Sequence, residues 1–419
     1  MVTIRRDPPL STVTVFRSAA LAAVLWLCPA SADEGMWLFN NPPREILKSR
    51  YNFEPSREWL EHLQKSSIRF NSGGSGSFVS ADALVMTNHH VASDCLQKLS
   101  TQQRDLLKEG FRAATPAEEL KCVDLELNVL MSIEDVTARV NAAVKPEMPP
   151  GEARTARRAA INGIEKESLD KTGLRSDVVT LYQGGQYHLY RYKKYTDVRL
   201  VWAPEKDAAF FGGDPDNFEY PRYNLDATFL RAYENGAPAK VEHYLRWSAA
   251  GAREGELVLV SGHPGRTDRL NTVRHLEFLR DVVNPLTLQV IRRREVALSA
   301  WSARSLENAR RAQDDLFGYQ NSRKARAGML AGLQDPAIMA MKKASEDALR
   351  DAVMKSPEKK TQYGDAWDQV ARAIEDYRGI YLATYLIERG VAFNSPLFYK
   401  ARDLVRLAAE KRKPNFKAR

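Results

Sequence analysis

Short apolar runs that alternate with polar residues fill the larger, N-terminal part of the chain. Longer runs with helical spacing fill the rest. Phe78-Val79-Ser80 and Leu84-Val85-Met86-Thr87 predict two short strands around Ala81-Asp82-Ala83. Val123, Leu125, Leu127, Val129 and Met131 keep a period of two and predict a third. Val178 to Tyr182 and Tyr187 to Tyr192 flank Gly184-Gly185, a hairpin signal. Leu257-Val258-Leu259-Val260 predicts a buried strand that ends at Gly262-His263-Pro264-Gly265. Ala153 to Leu169 is a helical piece among these strands.

After about Asn271 the pattern changes. Leu286 to Leu333 has few helix breakers, and Asp335-Pro336 predicts an N-cap and first-turn proline. Tyr363 to Glu388 is amphipathic, and Ser395-Pro396 starts a last helix running to Lys411. The expected architecture is therefore a β region over 33–270 followed by a helical domain over 271–419, without internal repeats.

The N-terminus stands apart. Arg5, Arg6 and Arg17 precede the apolar run Ala19 to Cys28, and Ala30-Ser31-Ala32 supplies small residues for cleavage. Residues 1–32 read as a secretory signal peptide, since the run is too short to span a bilayer. Trp26 and Leu27 are too large for the two positions before a lipidated cysteine, which makes Cys28 a poor candidate for that role. No later run is apolar enough to span a membrane.

Composition narrows the classes further. Apolar residues make up 44% of the 419, enough for a globular core and too many for a disordered chain. Three cysteines are too few for a disulfide framework. Loss of Arg5, Arg6, Arg17 and Asp7 with the signal would lower the net charge from +9 to +7. That charge is scattered, with no aromatic-basic module, so no nucleic-acid partner is expected. Only Cys95 and Cys122 would remain after cleavage, in an oxidising compartment, and they are expected to pair.

Two constellations carry candidate chemistry. Thr87-Asn88-His89-His90-Val91-Ala92 follows a strand and lies near the Gly-Ser-rich stretch Gly73 to Ser77. A histidine just past a strand end suits a general base, because serine attack needs an imidazole to take the hydroxyl proton. The pair also fits a structural histidine. A metal pair is disfavoured, since no Glu or third His stands at ligand spacing. The second constellation runs from Phe211-Gly212-Gly213-Asp214-Pro215-Asp216-Asn217-Phe218-Glu219 to Asp226, just before a strand over Ala227 to Ala232. An Asp at a strand mouth can hold a histidine's tautomer. A calcium loop built on Asp214, Asp216 and Glu219 lacks EF-hand spacing.

At these residues the chain resembles the bacterial dipeptidyl-peptidase family of chymotrypsin-clan serine exopeptidases, the group containing dipeptidyl peptidases 7 and 11. Four blocks carry the resemblance, in family order: Gly76-Ser77-Phe78-Val79-Ser80 to His89-His90; Gly212-Gly213-Asp214 with Asp216-Asn217, to Asp226; Gly262-His263-Pro264-Gly265-Arg266-Thr267; and Asn321 with Lys324 and Gly328. Gly35-Met36-Trp37 fits the family's mature start. The resemblance implies a chymotrypsin-like double β-barrel with a helical domain inserted into the second barrel. It implies His90 as general base and Asp226 as the orienting carboxylate. Asn217, Phe218 and Asn321 match positions that hold the free amino terminus of an oligopeptide. A neutral carboxamide oxygen accepts from an ammonium, and an aromatic wall adds shape. No cofactor or metal is implied. The expected location is periplasmic, and the complete family enzyme can be a homodimer.

The chain departs from the pattern in three ways. Many members carry a cysteine pair where Gly74 and Val91 stand, and Trp is common at the position of Phe218. The family's nucleophile lies in a Gly-Asn-Ser-Gly block beyond the helical domain, and this chain ends inside that domain. Ser75, in Gly73-Gly74-Ser75-Gly76, has a similar spelling but precedes His90, against the clan's His, Asp, Ser order. Ser261 lacks the required neighbours. The expectation is a truncated dipeptidyl-peptidase with an incomplete second barrel, inactive alone. Two other readings remain: a non-catalytic peptide-binding fragment and a helical interaction protein.

Overall fold

Alternating apolar residues become a sheet because every second side chain meets the same interior. The computed structural model describes residues 35–411 except Gln102, Arg266 and Asn394. The expected signal over 1–32 lies outside the described residues. From Trp37 onward the described residues form one unit, while Gly35 and Met36 belong to another. Eleven strands are described: β1 Ser67–Phe70, β2 Ser75–Phe78, β3 Leu84–Thr87, β4 Phe111–Arg112, β5 Leu120–Lys121, β6 Leu127–Asp135, β7 Arg175–Leu181, β8 Gln186–Tyr195, β9 Asp197–Ala203, β10 Thr228–Glu234 and β11 Ala237–Pro238. They form one sheet in the order β4-β9-β10-β3-β2-β1-β6-β8-β7, with β11 on β10 and β5 on β9. The pairings are antiparallel, as the short connections of β1–β2–β3 and β7–β8 allow.

Ile68, Phe70, Phe78, Val85, Leu127, Leu200 and Leu230 point from these strands into one core, where Leu96 of the helix His89–Leu99 joins them. A disulfide links Cys95 of that helix to Cys122 beside the sheet. The β7–β8 hairpin turns through Tyr182–Gly184, with Tyr182, Gln183 and Gly184 all at positive φ.

Two expected strands change. The alternation from Val123 becomes strand only at Leu127. Asp124 adopts φ 61°, and Asn71 grips the turn by donating to the Asp124 carbonyl at 2.9 Å and accepting from the Glu126 N–H at 2.9 Å. That turn breaks the extended backbone, so Val123 faces solvent. Leu257-Val258-Leu259-Val260 is not a buried strand. It has no regular structure, and Val258, Leu259 and Val260 are 65%, 49% and 101% exposed. An apolar run becomes a strand only when another strand takes its N–H and C=O groups, and no strand follows β11 among the described residues.

Two helices, Arg44–Tyr51 and Arg57–Ser66, precede the sheet inside the stretch read as β-rich. Ser56 caps the second by accepting from the Trp59 N–H at 3.1 Å. The expected piece over Ala153 to Leu169 is the helix Pro150–Thr172. Helices then dominate from Val273 to Glu410. The long stretch from Leu286 splits into Asn284–Ser302 and Leu306–Gln334, because Ser305 caps a new start through the Asn308 N–H. Asp335 and Ser395 cap the helices Pro336–Met354 and Pro396–Glu410.

Candidate active site

Strand register builds the first half of the site. β3 and β10 pair antiparallel with Thr87 opposite Thr228. The residue just past β3 and the residues just before β10 must therefore emerge at one end of the sheet. Asn88, the N-cap of the helix His89–Leu99, lies there, and so does Asp226. The His90 ring Nδ1 stands 2.7 Å from Asp226 Oδ2, while the His90 backbone N–H donates to Oδ1 at 3.1 Å. The Asn88 amide adds bonds to the Asp226 carbonyl at 3.0 Å and to Oδ2 at 3.2 Å. One carboxylate is thus held by the Asn88 amide and by backbone N–H while it holds the His90 imidazole. Burial pushes the Asp226 carboxyl up, but the hydrogen bonds from the His90 ring and backbone and the attraction of the imidazole outweigh it. The carboxyl stays below its usual range.

The two adjacent histidines separate cleanly. The His90 side chain is 62% exposed. His89 is buried, and burial lowers its pKa despite the pull of Asp226. Helical geometry puts neighbouring side chains about 100° apart, so only one of the pair can face the Asp226 side.

The second cluster of candidate residues lies on a loop clamped by the long helix Leu306–Gln334. Gly212 and Gly213 take φ of 81° and 61°, and a Cβ on Gly212 would overlap the Asp216 carboxylate. Asn217 is buried at the end of this turn, and its Nδ2 donates to Asn321 Oδ1 of the helix at 2.9 Å. Phe218 follows at φ 63° and is exposed. The structure therefore brings Asn217 and Asn321 together, with Phe218 next to them in the chain. Arg323 pairs with Asp214 at 2.7 Å and Glu295 at 2.8 Å. Lys324 donates to the carbonyls of Asp214 at 2.9 Å and Pro215 at 2.7 Å, and pairs with Glu219 at 3.2 Å.

Sequence reasoning assigned no role to Asn88, Arg222, Arg323 or His263. Asn88 and Arg222 sit inside the two constellations and Arg323 stands beside Lys324, so proximity to the motifs was the available signal. His263 is half-buried, with its pKa pushed down to about 4 by desolvation and by the Arg69 charge. Its backbone N–H donates to Ser75 Oγ at 2.7 Å. Ser75 thus ties β2 to the 261–265 turn. Gly74 and Val91 are neighbours in space: a Cβ on Gly74 would stand 2.7 Å from Val91 Cγ2.

Among the described residues, no three metal-ligating side chains cluster, and no helix is long and apolar enough to cross a membrane. Two concavities, one between Arg274 and Arg378 and one along Gly151 to Ala159, share no residue with this site.

The chain is 30% identical over 415 residues to dipeptidyl-peptidase 7 of Porphyromonas endodontalis, covering 93% of this chain and 49% of the relative. It is 30% identical over 414 residues to the Asp/Glu-specific dipeptidyl-peptidase of Shewanella putrefaciens, covering 94% of this chain and 55% of the relative. Among solved structures, Porphyromonas endodontalis DPP11 in complex with the dipeptide Arg-Asp superposes with a TM-score of 0.71 at 25% identity, covering 85% of this chain and 54% of that one. The chain spans about half the length of the relatives it matches. The Peptidase S46 family matches residues 32–419, and this chain belongs to that family.

Proposed function

We propose that the chain carries the base, the orienting carboxylate and the amine anchor of a secreted serine-type dipeptidyl-peptidase. The observation that carries this reading is the bidentate grip of Asp226 on His90, on ring Nδ1 and on backbone N–H together. Accepting from Nδ1–H leaves Nε2 as the proton acceptor and keeps the ring from rotating. In this reading a serine outside the 419 residues attacks the second peptide bond. His90 takes its proton and passes it to the leaving amine, and Asp226 stabilises the imidazolium in between. Asn217 and Asn321 accept from the substrate's free ammonium while Phe218 walls the pocket. Anchoring that ammonium at a fixed distance from the nucleophile would measure off two residues.

The wider proposal follows the same logic. Residues 1–32 act as the signal, 33–270 supply the chymotrypsin-like barrel region, and 271–419 supply helices inserted into a second barrel. The eleven-stranded sheet and the helices after Thr272 are what supports that division.

Peptide binding and turnover by the 419-residue chain test the reading. It should bind peptides with a free amino terminus at least tenfold tighter than their N-acetylated forms. It should not hydrolyse dipeptidyl amides, because His90 has no activated attacking group. Turnover that disappears in Ser75→Ala would put the nucleophile on β2 and overturn the assignment.

A further inference from the structure

Arg222 completes a polar relay that starts outside the residues assigned to the amine anchor. Its Nη1 donates to Asn217 Oδ1 at 3.2 Å, and Asn217 Nδ2 donates in turn to Asn321 Oδ1 at 2.9 Å. Its guanidinium lies 5.1 Å from the centre of the Phe210 ring, and Phe210 meets Phe317 of the helix Leu306–Gln334 edge-on at 5.0 Å. Arg222 Nε is buried and has no hydrogen-bond partner. An arginine that leaves one donor unsatisfied while aiming another at a buried carboxamide is held there by packing, not by an ion pair.

The chemistry of these groups makes the relay directional. A carboxamide can usually turn its oxygen and nitrogen end for end. A guanidinium is always charged and can only donate. With Arg222 in place, the Asn217 amide must present oxygen to it and nitrogen to Asn321. Asn321 must then answer with its own oxygen. Each of the two oxygens has one lone pair engaged and one left. Those remaining lone pairs suit an ammonium, which only donates. Turned the other way, Asn217 would offer N–H groups where an ammonium has to bind.

We infer that Arg222 is a positioning residue for recognition of the substrate's free amino terminus: it fixes the orientation of the Asn217 and Asn321 carboxamides without touching the substrate. This rests on the amine-anchor reading above. A second consequence separates orientation from bulk electrostatics. A cation near an ammonium site repels its ligand, so a merely electrostatic Arg222 would weaken binding, and its removal would tighten it. The relay requires the opposite sign.

The test is the affinity of the 419-residue chain for a C-terminally fluorescent tetra-alanine peptide, with a free or an acetylated amino terminus. Wild type should prefer the free amine at least tenfold. Arg222→Met should cut that preference to about twofold or less by weakening only the free-amine peptide. Arg222→Lys, which can still donate to Asn217 Oδ1, should recover most of it. Phe210→Leu removes the ring against the guanidinium but no polar partner, and should give a partial loss; it decides the matter if Arg222→Met does not fold. Unchanged or increased preference in Arg222→Met, or with that variant unfolded in Phe210→Leu, overturns the inference. So does a lysine variant no better than the methionine one. A wild-type chain without preference removes the anchor itself and the inference with it.

Discussion

The sheet half and the segment beyond it treat the same kind of residue in opposite ways. Leu230 of β10 is fully buried between β3 and β9, whereas Leu259 and Val260 stand in water. Both lie in short apolar runs of strand-forming residues. The last helix, Pro396–Glu410, resembles the second case: Leu397, Leu404 and Val405 are mostly exposed. The difference teaches that an apolar run specifies a need for burial, while partners elsewhere in the chain decide whether it is met.

Hydrogen exchange should show this contrast at its largest. Amides of β10 are expected to exchange only through broad unfolding, with protection worth at least about 5 kcal/mol, or several thousandfold. Those of Leu257 to Val260 should exchange almost as fast as an unstructured peptide. Strong protection there in a monodisperse monomer would show that the run is covered in solution. Chemical denaturation sharpens the same comparison. Leu230→Ala should cost about 4 kcal/mol through lost burial and a residual cavity. Leu404→Ala, on the exposed face of the last helix, should cost about 0.5 kcal/mol or less. Equal losses would mean that the helix face is buried after all.

The disulfide belongs to the sheet half alone. Cys95 and Cys122 lie 27 residues apart in sequence, and closing a loop of that size contributes about 3 kcal/mol in the chain-entropy model. Replacing both by alanine should lower the unfolding free energy from chemical denaturation by that amount. Two reactive thiols in an unreduced, denatured chain starting at Asp33 would show that the bond does not form.

A smaller effect is expected at the site. Because the Asp226 carboxyl is held below its ordinary range, its grip on His90 adds stability above that range. The contribution is lost as the pH falls through the lowered value. Asp226→Asn should cost about 1 kcal/mol at neutral pH and flatten this acid limb. A variant whose acid limb matches wild type would show that the pair contributes nothing to folding.

Much of the candidate site was legible along the chain. His90 and Asp226 stood out because each sits at a strand boundary with an unusual neighbourhood, and strand ends are where a sheet presents chemistry. The capped helix starts at Asp335 and Ser395 were equally legible, because a cap is a local bond between residues two or three apart. The run at Leu257 was misread because its fate depends on a partner strand, about which local pattern says nothing. The break at Asp124 was missed because it depends on Asn71, far away in sequence.

Sequence alone thus determined the periods, the caps, the two constellations and the family resemblance, since each is carried by residues close together along the chain. Tertiary structure decided the rest. The register of β3 on β10 delivered Asp226, and the turn of the helix His89–Leu99 set His90 rather than His89 toward it. The docking of the Leu306–Gln334 helix onto the 212–219 loop joined Asn217 to Asn321 across 104 residues. The directional chain from Arg222 through Asn217 to Asn321 exists only in three dimensions, because a hydrogen bond depends on distance and angle, and sequence separation sets neither.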